Sequence, residues 1–89
     1  MDKIDDLNEF RKEIDEIDSE ILKLLGRRHR VVKKVKKYKK ENNIEVVDLN
    51  REKIIFERLK KIAKKYELES GSVEDVFRAI ISNSRKLQK

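Results

Sequence analysis

From Leu7 to Tyr38 an apolar residue recurs at steps of three and four: Leu7, Phe10, Ile14, Ile17, Ile21, Leu24, Val31, Val35 and Tyr38, with Arg28 alone breaking the series. That period lays one stripe along an α-helix. No Pro interrupts the run, and its polar positions are mostly Lys, Arg and Glu, which favour helix. The spacing predicts one helix from Asp5 to Asn42, about 35 residues and roughly 50 Å long. A compact domain of this size has a radius of gyration near 12 Å, roughly. The remainder of the chain is too short to cover such a helix, so a second copy packed along the stripe is expected. The Arg28 guanidinium set into that stripe has two readings. It either snorkels or pairs within the seam, or it faces a ligand.

The rest of the chain continues as helix. Asn42 and Asn43 suit a left-handed cap, Ile44 to Val47 is a short apolar connector, and Asp48 suits an N-cap. A second helix follows from Leu49 to Tyr66, with Ile55, Leu59, Ile62, Ala63 and Tyr66 inward. After a break over Glu67 to Gly71, Ser72 and Asp75 have capping-box spacing. The third helix then runs to the C-terminus with Val73, Val76, Phe77, Ile80, Ile81 and Leu87 inward. The expected fold is all-α, with one long and two shorter helices in a single domain spanning 1–89, assembled as an intertwined helical homodimer. Gly26, in mid-helix, reads either as a site of close approach by a partner helix or as a tolerated weak point.

Composition narrows the chemistry. Charged residues make up 47% of the chain and hydrophobic ones 37%, a balance that borders on disorder, but a disordered polyampholyte has no reason to keep a heptad. The net charge of +6 favours an anionic partner. With no Cys and one His, neither a disulfide framework, thiolate chemistry nor a zinc site is expected. The charged start from Asp2 onward and the lack of a membrane-length apolar run point to a cytoplasmic chain with no membrane partner. His29 reads as exposed and inert. Lys33, Lys34, Lys36, Lys37 and Lys40 read as a solvated face.

Several polar residues nevertheless fall on inward faces. Arg28 and Lys39 are eleven residues apart, so they project from nearly the same face of the helix about 16 Å apart. Asp48, Arg51 and Glu52 share a face with Ile55, and Ser84 and Gln88 share one with Ile81. Arg11 lies seventeen residues before Arg28, about 25 Å along the axis, and meets its site only across an antiparallel dimer. Taken singly these have ordinary structural readings: Ser84 bonded back to a carbonyl, Arg51 and Glu52 as a surface pair. Taken together they suit a small molecule with two carboxylates.

Five segments in order resemble the all-helical chorismate mutase family: Phe10 to Asp18, Leu24 to Arg28, Val35 to Lys39, Asp48 to Glu52, and Ile80 to Gln88. The resemblance covers essentially the whole chain. It implies an intertwined dimer with two sites and the rearrangement of chorismate to prephenate in phenylalanine and tyrosine biosynthesis. That pericyclic reaction needs no cofactor, metal, nucleophile or general base. By position, Arg28 and the partner's Arg11 resemble the clamps on the two carboxylates. Lys39 and Gln88 flank the ether oxygen. Glu52, with the backbone near Asp48 and Arg51, is similar to the group that holds the ring hydroxyl, and Ser84 supports a carboxylate. Val35, Ile55 and Ile81 form apolar walls. Leu49 departs from the Pro that the family often has there, and Gly26 from a small Ala-like residue.

Three rivals follow. An isochorismate-pyruvate lyase has the same fold and handles a related dianion. A basic helical module binding nucleic acid is permitted by the charge, but the chain lacks aromatic interleaving and any nucleic-acid motif, so no nucleic acid is expected. A purely structural dimer leaves Glu52, Ser84 and Gln88 unexplained.

Overall fold

The computed structural model describes residues 3–89; Asp2, read above as part of a charged start, lies outside them. The described residues form α1 (Lys3–Glu41), α2 (Leu49–Lys65) and α3 (Ser70–Gln88), with no strand among them. The all-α expectation of one long and two shorter helices therefore holds. Two compact units divide the chain, Met1–Val31 and Val32–Lys89, and the division falls inside α1.

In the first unit the described residues are all helix. Asp5 and Asp6 lie in the first turn, where carboxylates complement the helix dipole. The apolar stripe is laid out as its spacing requires, and it is open. Phe10, Ile17 and Leu24 keep 60%, 57% and 59% of their surface exposed. A stripe this apolar and this exposed is surface that a chain normally covers.

The second unit joins the last turns of α1 to α2 and α3. Asn43 adopts φ 55°, and the Ile44 N–H bonds back to the Lys39 carbonyl at 2.8 Å, closing α1 with the left-handed cap expected of Asn. Asp48 caps α2 by accepting from the Arg51 N–H at 3.0 Å, again as expected. The same kind of closure ends α2: Glu67 has φ 57° and the Leu68 N–H reaches the Ala63 carbonyl at 2.8 Å. A non-glycine residue in that conformation costs roughly 1 kcal/mol.

The start of α3 corrects the sequence reading. Its N-cap is Glu69, without a side-chain cap bond, and Ser72 already lies inside the helix. Closing α2 at Leu68 lets the Val73 N–H bond to the Glu69 carbonyl at 3.2 Å, so α3 begins before Ser72 can act as a cap.

α2 and α3 form an antiparallel pair, with Glu52 near the start of one meeting Arg85 near the end of the other. Midway, the Arg78 guanidinium lies 5.5 Å from the Phe56 ring centre and pairs with Glu74. The buried apolar residues are Val32, Leu59, Ala63 and Ile81, with Ser84 buried among them. Three positions expected inward, Ile62, Tyr66 and Val76, are exposed instead. Val76 joins Leu59, Ala63, Leu68 and Phe77 around an apolar cavity of about 530 Å³, which the second unit leaves open.

On α1 the buried position is Val32, one residue off the predicted stripe, while Val31, Val35 and Tyr38 remain exposed. Helical spacing supplies the reason. Val32, Lys36 and Lys39, at steps of four and three, form a second face, and that face is the one turned into the second unit. His29, expected to be exposed, is half-buried.

Candidate active site

Lys39 lies in the last turn of α1, just before the left-handed cap at Asn43. The cap turns the chain back so that the Val46 carbonyl returns over the lysine. Lys39 Nζ donates to that carbonyl at 2.8 Å and to Gln88 Oε1 at 2.9 Å. An ammonium has three donors, so one N–H remains to meet a ligand. Gln88 in turn donates through Nε2 to the Ser84 carbonyl at 3.2 Å, which ties its side chain to its own helix. Lys36 Nζ donates to the Lys89 backbone oxygen at 2.9 Å.

Lys36, Lys39, Lys40 and Lys89 line a cavity of about 360 Å³ with Ile44, Val46 and Gln88. Four of the seven lining residues are lysines and none is Asp or Glu. Their fields add, and a bound anion would replace their hydration with direct charge-assisted hydrogen bonds. Lys36, half-buried, departs from the expectation of a solvated lysine face, while Lys33, Lys34, Lys37 and Lys40 are exposed as expected. The signal was present in the spacing, because Lys36 falls one helical step from both Val32 and Lys39.

Glu52, half-buried in the first turn of α2, receives Arg85 on both oxygens, Nε to Oε2 at 2.9 Å and Nη2 to Oε1 at 2.5 Å. Donating to the Glu52 carboxylate pushes the Arg85 guanidinium above its ordinary value, with desolvation opposing and the carboxylate charge assisting. Sequence reading assigned Arg85 nothing. The available signal was its place one residue after Ser84 and three before Gln88, beside a glutamate in need of a counter-ion.

The other predicted residues are placed as follows. Asp48 and Arg51 are exposed at the start of α2, joined by the capping bond. Ile55 is half-buried and Ile81 buried on the α2 and α3 faces, while Val35 is 38% exposed. Ser84 is buried, and its hydroxyl donates to the Ile80 carbonyl at 2.9 Å, the ordinary helix-serine bond weighed above. Arg11 and Arg28 belong to the first unit, Arg11 exposed and Arg28 half-buried. The second unit therefore links Lys39 to Gln88 and Gln88 to the Ser84 carbonyl by hydrogen bonds, and binds Glu52 to Arg85, the residue after Ser84 on α3. No cluster of described residues has the make-up of a metal site. No helix is long and apolar enough to cross a membrane among the described residues.

These features define an all-helical protein with a lysine-lined pocket beside the end of α1. Comparison with known proteins makes the class specific. The model of the family described as chorismate mutase type II matches residues 10–89. A chorismate mutase of Methanocaldococcus jannaschii is 37% identical over 86 residues, covering 97% of this chain and 87% of the relative. A bifunctional chorismate mutase/prephenate dehydratase of Buchnera aphidicola is 41% identical over 80 residues, covering 90% of this chain and 21% of the relative. One from Aquifex aeolicus is 35% identical over 91 residues, covering 97% of this chain and 25% of the relative. The chain spans a quarter or less of those two bifunctional relatives. It belongs to the chorismate mutase type II family, and the isomerase activity read from the sequence, chorismate mutase, is borne out.

Proposed function

We propose that the chain converts chorismate to prephenate as a cytoplasmic homodimer serving aromatic amino acid biosynthesis, by holding the substrate folded and stabilising charge on its ether oxygen. The observation that carries this reading is the Lys39 ammonium, fixed by Val46 and Gln88 with one donor to spare, in a pocket lined by lysines. In the rearrangement the ether C–O bond breaks as a new C–C bond forms within the same molecule. No proton or electron is exchanged with the protein. Negative charge grows on the ether oxygen as that bond lengthens, so a cation held there binds the transition state more tightly than the substrate. Its hydrogen bonds fix Lys39 in advance, and little reorganisation is left to the moment of reaction.

Gln88 supplies a neutral amide beside the same oxygen, and Ser84 supports a carboxylate. Glu52, with the start of α2 at Asp48 and Arg51, takes the ring hydroxyl. Val35, Ile55 and Ile81 form the apolar walls. Arg28, and Arg11 of the partner subunit, enter as clamps on the two carboxylates. Their positions in the family pattern and the eleven-residue step from Arg28 to Lys39 support that assignment. The dimer is supported by the open stripe of the first unit, and the prephenate dehydratase named in two relatives supports the metabolic setting. The lack of Cys agrees with the cytoplasm.

The test is to follow chorismate loss and prephenate formation on the purified chain. Pyruvate release from isochorismate without prephenate formation from chorismate would overturn the reading in favour of the lyase. Mixing inactive Arg11→Ala and Arg28→Ala chains should restore about one functional site per heterodimer. Absence of recovery, once subunit exchange is shown, would remove Arg11 from the neighbouring site.

A further inference from the structure

Arg85 makes a two-pronged contact that the mechanism above does not use. It stands in the last turn of α3, where a cation suits the helix dipole, and Glu52 stands in the first turn of α2, where an anion does. The two are 33 residues apart in sequence, so the contact exists only because α2 and α3 run antiparallel. Nε and Nη2 reach different oxygens of the same carboxylate, at 2.9 and 2.5 Å.

A glutamate's last torsion is soft, with a broad energy well. Two parallel N–H donors from one rigid guanidinium remove that freedom, because both oxygens must then lie near the guanidinium plane. Each oxygen keeps one acceptor direction, turned away from Arg85. The Arg85 side chain is more open than that of Glu52, 37% against 19%. The arginine therefore forms the outer side of the pair and the carboxylate the inner one. Lysine, a point charge on a flexible stem, imposes no such plane.

We infer that Arg85 is a positioning residue for the mutase reaction: through its two-pronged bond it holds the Glu52 carboxylate in the orientation that receives the ring hydroxyl of chorismate. The inference rests on the reading of Glu52 given above. It also explains why a charged side chain follows directly on the buried Ser84: the turn that carries Ser84 and Gln88 carries the group that orients their neighbour on α2. Because Glu52 neutralises it, the guanidinium does not compete with the lysines for the substrate carboxylates.

The experiment compares the unsubstituted chain with Arg85→Gln, Arg85→Lys, Glu52→Gln and the double variant, each shown folded by circular dichroism at the assay temperature. Two substrates are used: chorismate, and the analogue with hydrogen in place of the ring hydroxyl. Arg85→Gln should lower kcat/KM on chorismate about tenfold or more, the size of a lost hydrogen bond to a charged group. On the deoxy analogue it should change kcat/KM less than about threefold. Arg85→Lys should recover part of the loss, and adding Arg85→Gln to Glu52→Gln should cost almost nothing further. Equal losses on both substrates would reduce Arg85 to a structural strut, and no loss on chorismate would overturn the inference directly. If Glu52→Gln itself treats both substrates alike, the hydroxyl role of Glu52 fails. If Glu52→Gln discriminates and Arg85→Gln does not, only the role of Arg85 fails.

Discussion

The two units of this chain solve the problem of apolar surface in opposite ways. The second unit covers part of it internally: Val32, Leu59, Ala63 and Ile81 are buried, and polar bonds link the end of α1 to the end of α3. The first unit carries a more regular apolar pattern and leaves its stripe exposed. Regularity of pattern and burial within the chain are thus separate properties. A heptad states that a helix will be covered, and the length of the remaining chain decides whether that cover is intramolecular. In this protein the unit with the weaker pattern holds the described polar cluster, and the unit with the stronger one carries the open apolar stripe on which the proposed dimer rests.

Substitutions in the two units should therefore fail differently. The largest effect is expected from Ile17→Glu, which puts a carboxylate in the middle of the open stripe. Burying a charge at a two-fold seam affects both copies, so the dimer should give way to monomer in sedimentation velocity, with loss of mutase activity. A dimer of normal strength would break the comparison drawn above. Next comes Lys39→Ala, expected to lower kcat about 10³-fold while sedimentation still reports a dimer. Near-normal turnover would remove Lys39 from the ether oxygen.

A smaller loss is expected from Leu59→Ala, in the core of the second unit. It should destabilise the fold by ~2–3 kcal/mol in urea titration, as truncation of a buried leucine does. The smallest change is expected at Gly26. A Cβ built there meets only the Arg30 Nη1 atom, at 3.7 Å, an ordinary contact within the chain. Gly26→Ala should therefore raise stability by about 0.5–1 kcal/mol in thermal denaturation, the helix-propensity difference. A loss instead would show that a second copy approaches the backbone at Gly26, and would sharpen the view of the first unit as an assembly surface.

Much of the fold was legible in the sequence because its signals are local. The 3.6-residue period, the absence of Pro, and Asn43 and Asp48 at helix ends marked three helices and two of their boundaries. Ser72 misled because a cap is decided by where the preceding helix closes, and the Leu68 bond to Ala63 moved that point. Lys39 and Gln88 could be named from the family pattern, but their hydrogen bond joins residues 49 apart, and no local spacing encodes it. Lys36 was concealed by its lysine neighbours, which are alike in composition and differ only in the face they occupy. Arg85 was concealed because its partner Glu52 already had a role.

The sequence by itself therefore determined the all-helical class, the family and the polar residues worth attention, since these depend on side-chain type and on steps of a turn or two. Tertiary structure alone decided which face of α1 turns inward, that Lys39 is held between Val46 and Gln88, and that Arg85 grips Glu52. The physical reason is the same in each case. A contact across helices depends on where loops close and how helices pair, and a one-residue shift around a helix moves a side chain by about 100°.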